Sequence, residues 1–148
     1  MKPSIKRTFT TSASPDVVHR YLADFRNATE WDPGTQTCEL IEGDGGAGSR
    51  YRNVSSFLGR TTELEYVTEE HRAPTWLHLV GRNEQFEGHD RISIEAHDAG
   101  SRVTYAAQFE LKGLSALASP LVAAYLPVLG SKTVQQLKGC LDSLPTDA

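Results

Sequence analysis

The chain is short of the features that mark several large functional classes. It has two cysteines in 148 residues, and Cys38 and Cys140 form no C-x-x-C pair, which excludes a zinc knuckle or a dithiol redox motif. They are expected as isolated, buried thiols. Positive charge is also scarce: 15 Lys and Arg against 19 Asp and Glu give a net charge of −4. A surface built to neutralise phosphates needs the opposite balance, so nucleic acid is not an expected partner. No long apolar run is intact. The richest stretch, Leu114 to Leu129, is interrupted by Pro120 and Pro127 and reads as too short and too broken for membrane insertion. Met1-Lys2-Pro3-Ser4-Ile5 opens on no apolar leader, so a cytoplasmic location is expected. The sequons Asn27-Ala28-Thr29 and Asn53-Val54-Ser55 carry no meaning in that compartment.

Recognisable catalytic spacings are missing as well. His19, His71, His78, His89 and His97 show no ligand spacing, so no metal site is expected, and most of them are expected to face solvent. No G-x-S-x-G elbow surrounds a serine. Gly43-Asp44-Gly45-Gly46-Ala47-Gly48 matches G-x-G-x-x-G. Ser49-Arg50-Tyr51-Arg52-Asn53-Val54 after it reads as strand, however, where a dinucleotide site requires a helix N-terminus. The match is read as a hairpin loop, and no cofactor is expected.

What is present is the pattern of one folded domain spanning 1–148. A 39% apolar fraction and 23% charged fraction are ordinary for a globular chain, and this length buries roughly 70% of the unfolded surface. Ile5 to Thr11 alternates as a strand. Ser14-Pro15-Asp16 then announces a helix: a hydroxyl for the cap, a proline at the first turn and a carboxylate at the positive end. Val17, Val18, Tyr21, Leu22 and Phe25 follow at helical spacing. A second short helix is expected from Arg26 to Trp31, stopped by Asp32-Pro33-Gly34.

From Thr35 to Glu110 the spacing predicts a meander of strands near 35–42, 49–58, 61–69, 75–81, 86–96 and 102–110. After Gly113 the period becomes helical again. Pro120 marks the first turn of one long helix, whose apolar stripe is expected through Leu117, Leu121, Tyr125, Val128, Leu129, Val134, Leu137, Leu141 and Leu144.

Within the strands, parity selects candidate functional residues. Phe86, Gly88, Asp90, Ile92 and Ile94 share one face, which puts a carboxylate on the apolar side. A pocket position there would raise its pKa and make it an acid/base group or a ligand anchor, while a carboxylate at the pocket mouth, or one paired with an arginine such as Arg50 or Arg52, is the plainer alternative. Tyr51, Asn53, Ser55 and Phe57 share a face, as do Val103, Tyr105, Ala107 and Phe109. Both sets mix aromatic rings with hydroxyls and an amide, as a ligand wall does, or as core tyrosines do when their hydroxyls reach water. Over Thr75 to Val80 the inner face holds either Trp76 and His78 or Leu77 and Leu79.

The order strand, two short helices, six strands, long helix resembles the α+β helix-grip fold of polyketide cyclase/dehydrase-like, START and birch-pollen-allergen-like (Bet v 1-like, SRPBCC) proteins. The likeness is carried by Ser14-Pro15-Asp16-Val17-Val18 with Tyr21-Leu22-Ala23-Asp24, by Trp31-Asp32-Pro33, and by Tyr66-Val67-Thr68-Glu69. Gly100-Ser101-Arg102-Val103-Thr104-Tyr105 and Leu137-Lys138 add to it. The resemblance implies a curved seven-stranded antiparallel sheet gripping the C-terminal helix around a cavity for a small hydrophobic molecule. Candidate lining residues are Tyr51, Asn53, Tyr66, Trp76, His78, Phe86, Asp90, Ile92, Tyr105, Leu121 and Tyr125. No catalytic set transfers from the family. Binding or transport of a lipid, polyketide or aromatic compound is the leading expectation. The alternatives are a cyclase or dehydratase moving protons with Asp90, Tyr51, Tyr105 or His78, and an interaction module with a filled interior. Oligomeric state is not legible.

Overall fold

The computed structural model describes residues 2–145. Strand β1 is Ser4–Thr11. Helix α1, Pro15–Ala23, begins where its start signal stands, with the Ser14 hydroxyl accepting from the Val17 N–H. A 3-10 turn, Phe25–Asn27, leads into the short helix α2, Ala28–Trp31. Six strands follow: β2 (Thr35–Glu42), β3 (Arg50–Phe57), β4 (Arg60–Arg72), β5 (Trp76–Arg82), β6 (Phe86–His97) and β7 (Gly100–Leu111). A second 3-10 turn, Gly113–Ala118, precedes helix α3, Ser119–Asp142. The largest departure from expectation is β4, which runs on to Arg72. A bulge between Thr68 and Glu70 shifts its register and lets the pairing with β5 continue.

All pairings are antiparallel in the order β1-β7-β6-β5-β4-β3-β2. The first two strands are therefore opposite edges of one curved sheet, and α1 with α2 bridges between them. α3 lies over β1, α2 and β7. Leu22, Phe25, Trp31, Tyr51, Leu77, Ile92 and Leu137 are fully buried in one core, each large apolar side chain contributing about 1.5–3 kcal/mol. The outer face is wet. There Arg50 pairs with Glu42 and Glu65, Arg52 with Glu39 and Glu63, and Arg82 with Glu69 and Glu87. Such exposed pairs contribute at most about 1 kcal/mol each.

The stripe of α3 differs from the expected one. Its buried line is Ser119, Val122, Leu126, Gly130, Thr133, Leu137 and Leu141, which follows the helical period back from the C-terminal end. Leu121 and Val128 face outward. Hydrophobicity alone passes over Gly130 and Thr133. A Cβ on Gly130 would collide with Cδ1 of Ile5, so glycine is what permits helix and β1 to approach this closely. By length and composition alone the whole helical stretch Gly113–Asp142, longer than the Leu114–Leu129 run read from sequence, is apolar enough to cross a membrane. Its C-terminal half is nevertheless built into the core.

Other expectations change too. Cys38 is buried and Cys140 half-buried, both as free thiols. His19 is buried and hydrogen-bonds the Trp76 carbonyl, while the other four histidines are half-buried. The Gly43–Gly48 loop turns directly into β3 without a helix. It is pinned by Gly48 N–H donating to the Thr68 carbonyl at 2.8 Å.

Candidate functional site

A cavity of about 200 Å³ lies between the inner face of the sheet and the middle of α3. Its wall is mostly apolar, with Phe57, Leu64, Phe86, Ala107, Phe109 and Leu111 from the sheet and Leu126 and Leu129 from α3. Phe109 sits with Phe86 at 5.3 Å and Phe57 at 6.2 Å between ring centroids, an aromatic edge of the spacing such rings favour. The cavity end is bordered by the β3–β4 turn through Arg60, the β5–β6 turn through Asn83 and Gln85, and the 3-10 turn through Ser115.

Polar groups converge at the inner end. β6 and β7 pair Asp90 with Ala107 and Ile92 with Tyr105, so the diagonal neighbours Asp90 and Tyr105 point to the same side. The Tyr105 hydroxyl donates to Asp90 Oδ1 at 2.8 Å. Burial pushes the Asp90 carboxyl from 3.8 up to about 7, against the hydrogen bond from Tyr105 and with a further push from the Asp32 charge. Asp32 joins the same wall from the turn after α2. Its carboxylate accepts from the Thr35 hydroxyl at 2.8 Å and the Gly34 N–H at 3.2 Å. Burial still raises its pKa. Tyr66, also in the wall, is held far above its ordinary pKa, first by burial and then by Asp90. The arrangement is an apolar container with one end that offers a protonatable carboxyl and phenols.

Ser55, Phe57, Ala107 and Phe109, selected by strand parity, line this cavity, and of the eleven candidate lining residues Tyr66, Phe86, Asp90 and Tyr105 meet in its wall. The others do not. Tyr51 is packed beneath Phe25 and donates to the Ala23 carbonyl at 3.3 Å. Asn53 is consumed internally, donating to Thr35 and accepting from Ser55. Ile92 is core beside Leu77. Trp76 and His78 are on the outer face, because pairing with β6 sets Leu77 against Ile92 and Leu79 against Asp90. Trp76 Nε1 donates to Glu70 at 2.9 Å, and His78 Nε2 lies 2.9 Å from His89 Nδ1. Leu121 is exposed, and Tyr125 stacks edgewise on Phe57 at 5.7 Å from outside the lining. Arg50 and Arg52, the alternative partners for Asp90, are occupied on the outer face. Asp32 and Thr133 were missed. Asp32 reads locally as a helix stop, and Thr133 as a polar interruption whose position on the Leu137–Leu141 line was the available signal.

A second, wider cleft of about 580 Å³ lies between α1, the Gly43–Gly48 loop and the β4–β5 turn. Its walls carry both charges, Asp16, Asp24 and Asp44 with Arg20 and Arg26. Asp24 and Arg26 already hold each other in a two-bond pair. An apolar guest finds its surface in the smaller cavity, which therefore is the candidate site.

A curved sheet closed over a long helix, with a mostly apolar space between them, defines a helix-grip container of the START/Bet v 1-like superfamily. The chain belongs to the family described as polyketide cyclase/dehydrase and lipid transport, whose model matches residues 2–142. No curated protein sequence matches it. Among solved structures it is similar to a START superfamily protein from Mycobacterium smegmatis, with a TM-score of 0.80 at 16% identity over 96% of this chain and 99% of that one. It is similar also to the Zhui aromatase/cyclase from Streptomyces sp. R1128, with a TM-score of 0.75 at 16% identity over 96% and 94%. Major latex-like protein 151 from Panax ginseng follows with a TM-score of 0.68 at 15% identity over 97% and 99%. At these identities the likeness is one of fold.

Proposed function

We propose that this protein binds a small, mainly apolar molecule carrying one hydrogen-bonding end, such as a carbonyl or hydroxyl, in the cavity between sheet and α3. The observation that carries the reading is the division of the cavity wall, with aromatic and aliphatic side chains along its length and Asp90, Tyr105 and Asp32 gathered at one end. A carboxyl held near pH 7 can donate to a ligand oxygen when protonated and accept from a hydroxyl when ionised. Burying about 200–300 Å² of ligand surface favours association by roughly 5–7 kcal/mol before the costs of ordering are subtracted. The resulting scale is about ten micromolar at the tightest, and weaker once those costs are subtracted. Membership of a family described by both cyclase/dehydrase and lipid transport supports a hydrophobic ligand without choosing between turnover and carriage.

A cyclase or dehydratase is the second reading, and the Asp90–Tyr105 pair is what favours it. A carboxyl near neutrality is suited to passing a proton to or from a bound polyketide oxygen or α-carbon. Tyr51 and His78 drop out of that reading, since neither lines the cavity. Native mass spectrometry of the purified protein, followed by solvent extraction, tests the first reading. A reproducible adduct lost on denaturation and recovered unchanged is the expected result. An apo mass together with no binding of apolar fluorophores would overturn it. A time-dependent change in the mass of the recovered ligand would move the assignment to the enzyme.

A further inference from the structure

Next to the cavity end the surface is strongly apolar. Leu114 and Leu117, in the 3-10 turn before α3, are 88% and 82% exposed, and Leu121 and Val128 on α3 are 61% and 50% exposed. Ser115, between the first two, lines the cavity. Across that opening Leu58 stands 41% exposed on the β3–β4 turn, flanked by Phe57 and Arg60, which line it too. Leu58 has a φ of +50°, a left-handed conformation in which a branched side chain is a steric outlier and Asn or Gly the ordinary occupant. Single exposed leucines are commonplace, whereas several around one opening mark an interaction surface.

The charges in these segments identify the occupant. From Gly113 to Ser131 there is no charged residue, and lysines 112 and 132 stand at the two ends. On the β3–β4 turn the charged residue is Arg60. Lys112 has Glu87 at 3.7 Å, and Glu84 on the β5–β6 turn is the acidic residue of the neighbouring loop. Apolar side chains bordered by cations suit the interface of an anionic bilayer, where leucines enter the headgroup and acyl boundary while Lys and Arg remain among the phosphates. A second copy suits it less well. An isologous contact would bring the same cationic border to both sides, and the segments that carry the leucines contain no acid to pair with it.

We infer that the surface formed by Leu58, Leu114, Leu117, Leu121 and Val128 docks this protein peripherally on an anionic lipid bilayer, with the cavity opening turned toward the lipid. The protein lies on the membrane and does not span it, because the C-terminal half of α3 is committed to the core. The inference stands apart from the ligand reading, since docking requires only the surface.

Flotation of the full chain with vesicles of phosphatidylcholine, with and without phosphatidylglycerol, tests it. The expected result is binding that needs the anionic lipid, falls as salt rises, and weakens about tenfold or more in L114D/L117D. Circular dichroism and thermal melting of that variant should match the parent, since both leucines are outside the core. If it fails to fold, Lys132→Glu decides by the same readout, with several-fold weaker binding expected. Absence of wild-type binding to anionic vesicles would overturn the inference, as would undiminished binding by L114D/L117D. Light scattering that reports a dimer dissolved by L114D/L117D, with no vesicle binding, would assign the surface to a second copy and overturn it equally.

Discussion

Tyr105 donates its phenolic hydrogen to Asp90 across 2.8 Å, on two adjacent strands and with both side chains more than nine-tenths buried. The bond favours the carboxylate form, yet burial outweighs it and leaves Asp90 with a pKa of about 7. The pair is thus a polar element placed where hydrophobic packing alone would have put Leu or Ile, and several measurable consequences follow from its environment.

The first is a pH dependence of stability. Because the folded pKa of Asp90 is raised from 3.8 to about 7, the native state holds a proton in this interval that the unfolded chain has released. Stability from this group therefore falls as pH rises from about 4 to about 7 and levels off above that. The loss is on the order of a few kcal/mol, each unit of displacement being worth about 1.4 kcal/mol. Asp90→Asn, which cannot ionise, should gain relative to the parent as pH rises. Denaturant melts of both proteins at pH 5 and pH 8 check it, and equal differences at the two values would refute a buried, titrating Asp90.

Tyr105→Phe removes the donor to Asp90 while keeping the ring that packs on Trp31 at 5.9 Å. The carboxyl should then titrate higher still, and stability should fall by about 1 kcal/mol. A carbon-detected NMR titration of the aspartate carboxyls reads the first effect. A downward movement of Asp90 would contradict the geometry.

Gly130→Ala tests the contact between α3 and β1. The added methyl meets Ile5 Cδ1, and overpacking of this kind costs about 1–3 kcal/mol, partly offset by the better helix propensity of alanine. Ile5→Val removes the offending atom, so the double variant should recover most of the loss. Additivity in a thermal-melt double-mutant cycle would show that the two residues do not meet.

Leu129→Trp fills the cavity from the helix side, and Trp76→Phe changes only the outer face. The first should weaken binding of an extracted ligand or apolar fluorophore about tenfold or more, with the fold retained. The second should alter it by less than about twofold. The reverse order, read by fluorescence titration, would relocate the site to the face that carries Trp76 and His78.

Much of this molecule was legible in its pattern of residues. Period-two alternation and turn clusters outline the strands, Ser14-Pro15-Asp16 sets the start of α1, and Pro120 marks the first turn of α3. Each of these signals is local: a cap, a turn or a pleat acts within a few residues. The same locality put Asp90 on the apolar face and Tyr105 on a face that proved to be its neighbour, because parity within a strand follows from the pleat. The resemblance carried by the order of elements named the fold.

What the chain pattern left open depends on contacts between elements distant in sequence. Tyr51 and Asn53 share a face with Phe57, but Phe25 and Thr35 arrive from elsewhere and close their end of the sheet, while the Phe57 end stays open. The inward residues of β5 were decided by its pairing with β6, and the buried line of α3 by the approach of Ile5 to Gly130. Asp32, a helix stop by local rules, became part of the cavity wall through the folding of its turn over the sheet. A pattern of apolar and polar positions determines which face is buried. Only the packing of one element on another decides where that buried face is filled and where it stays hollow.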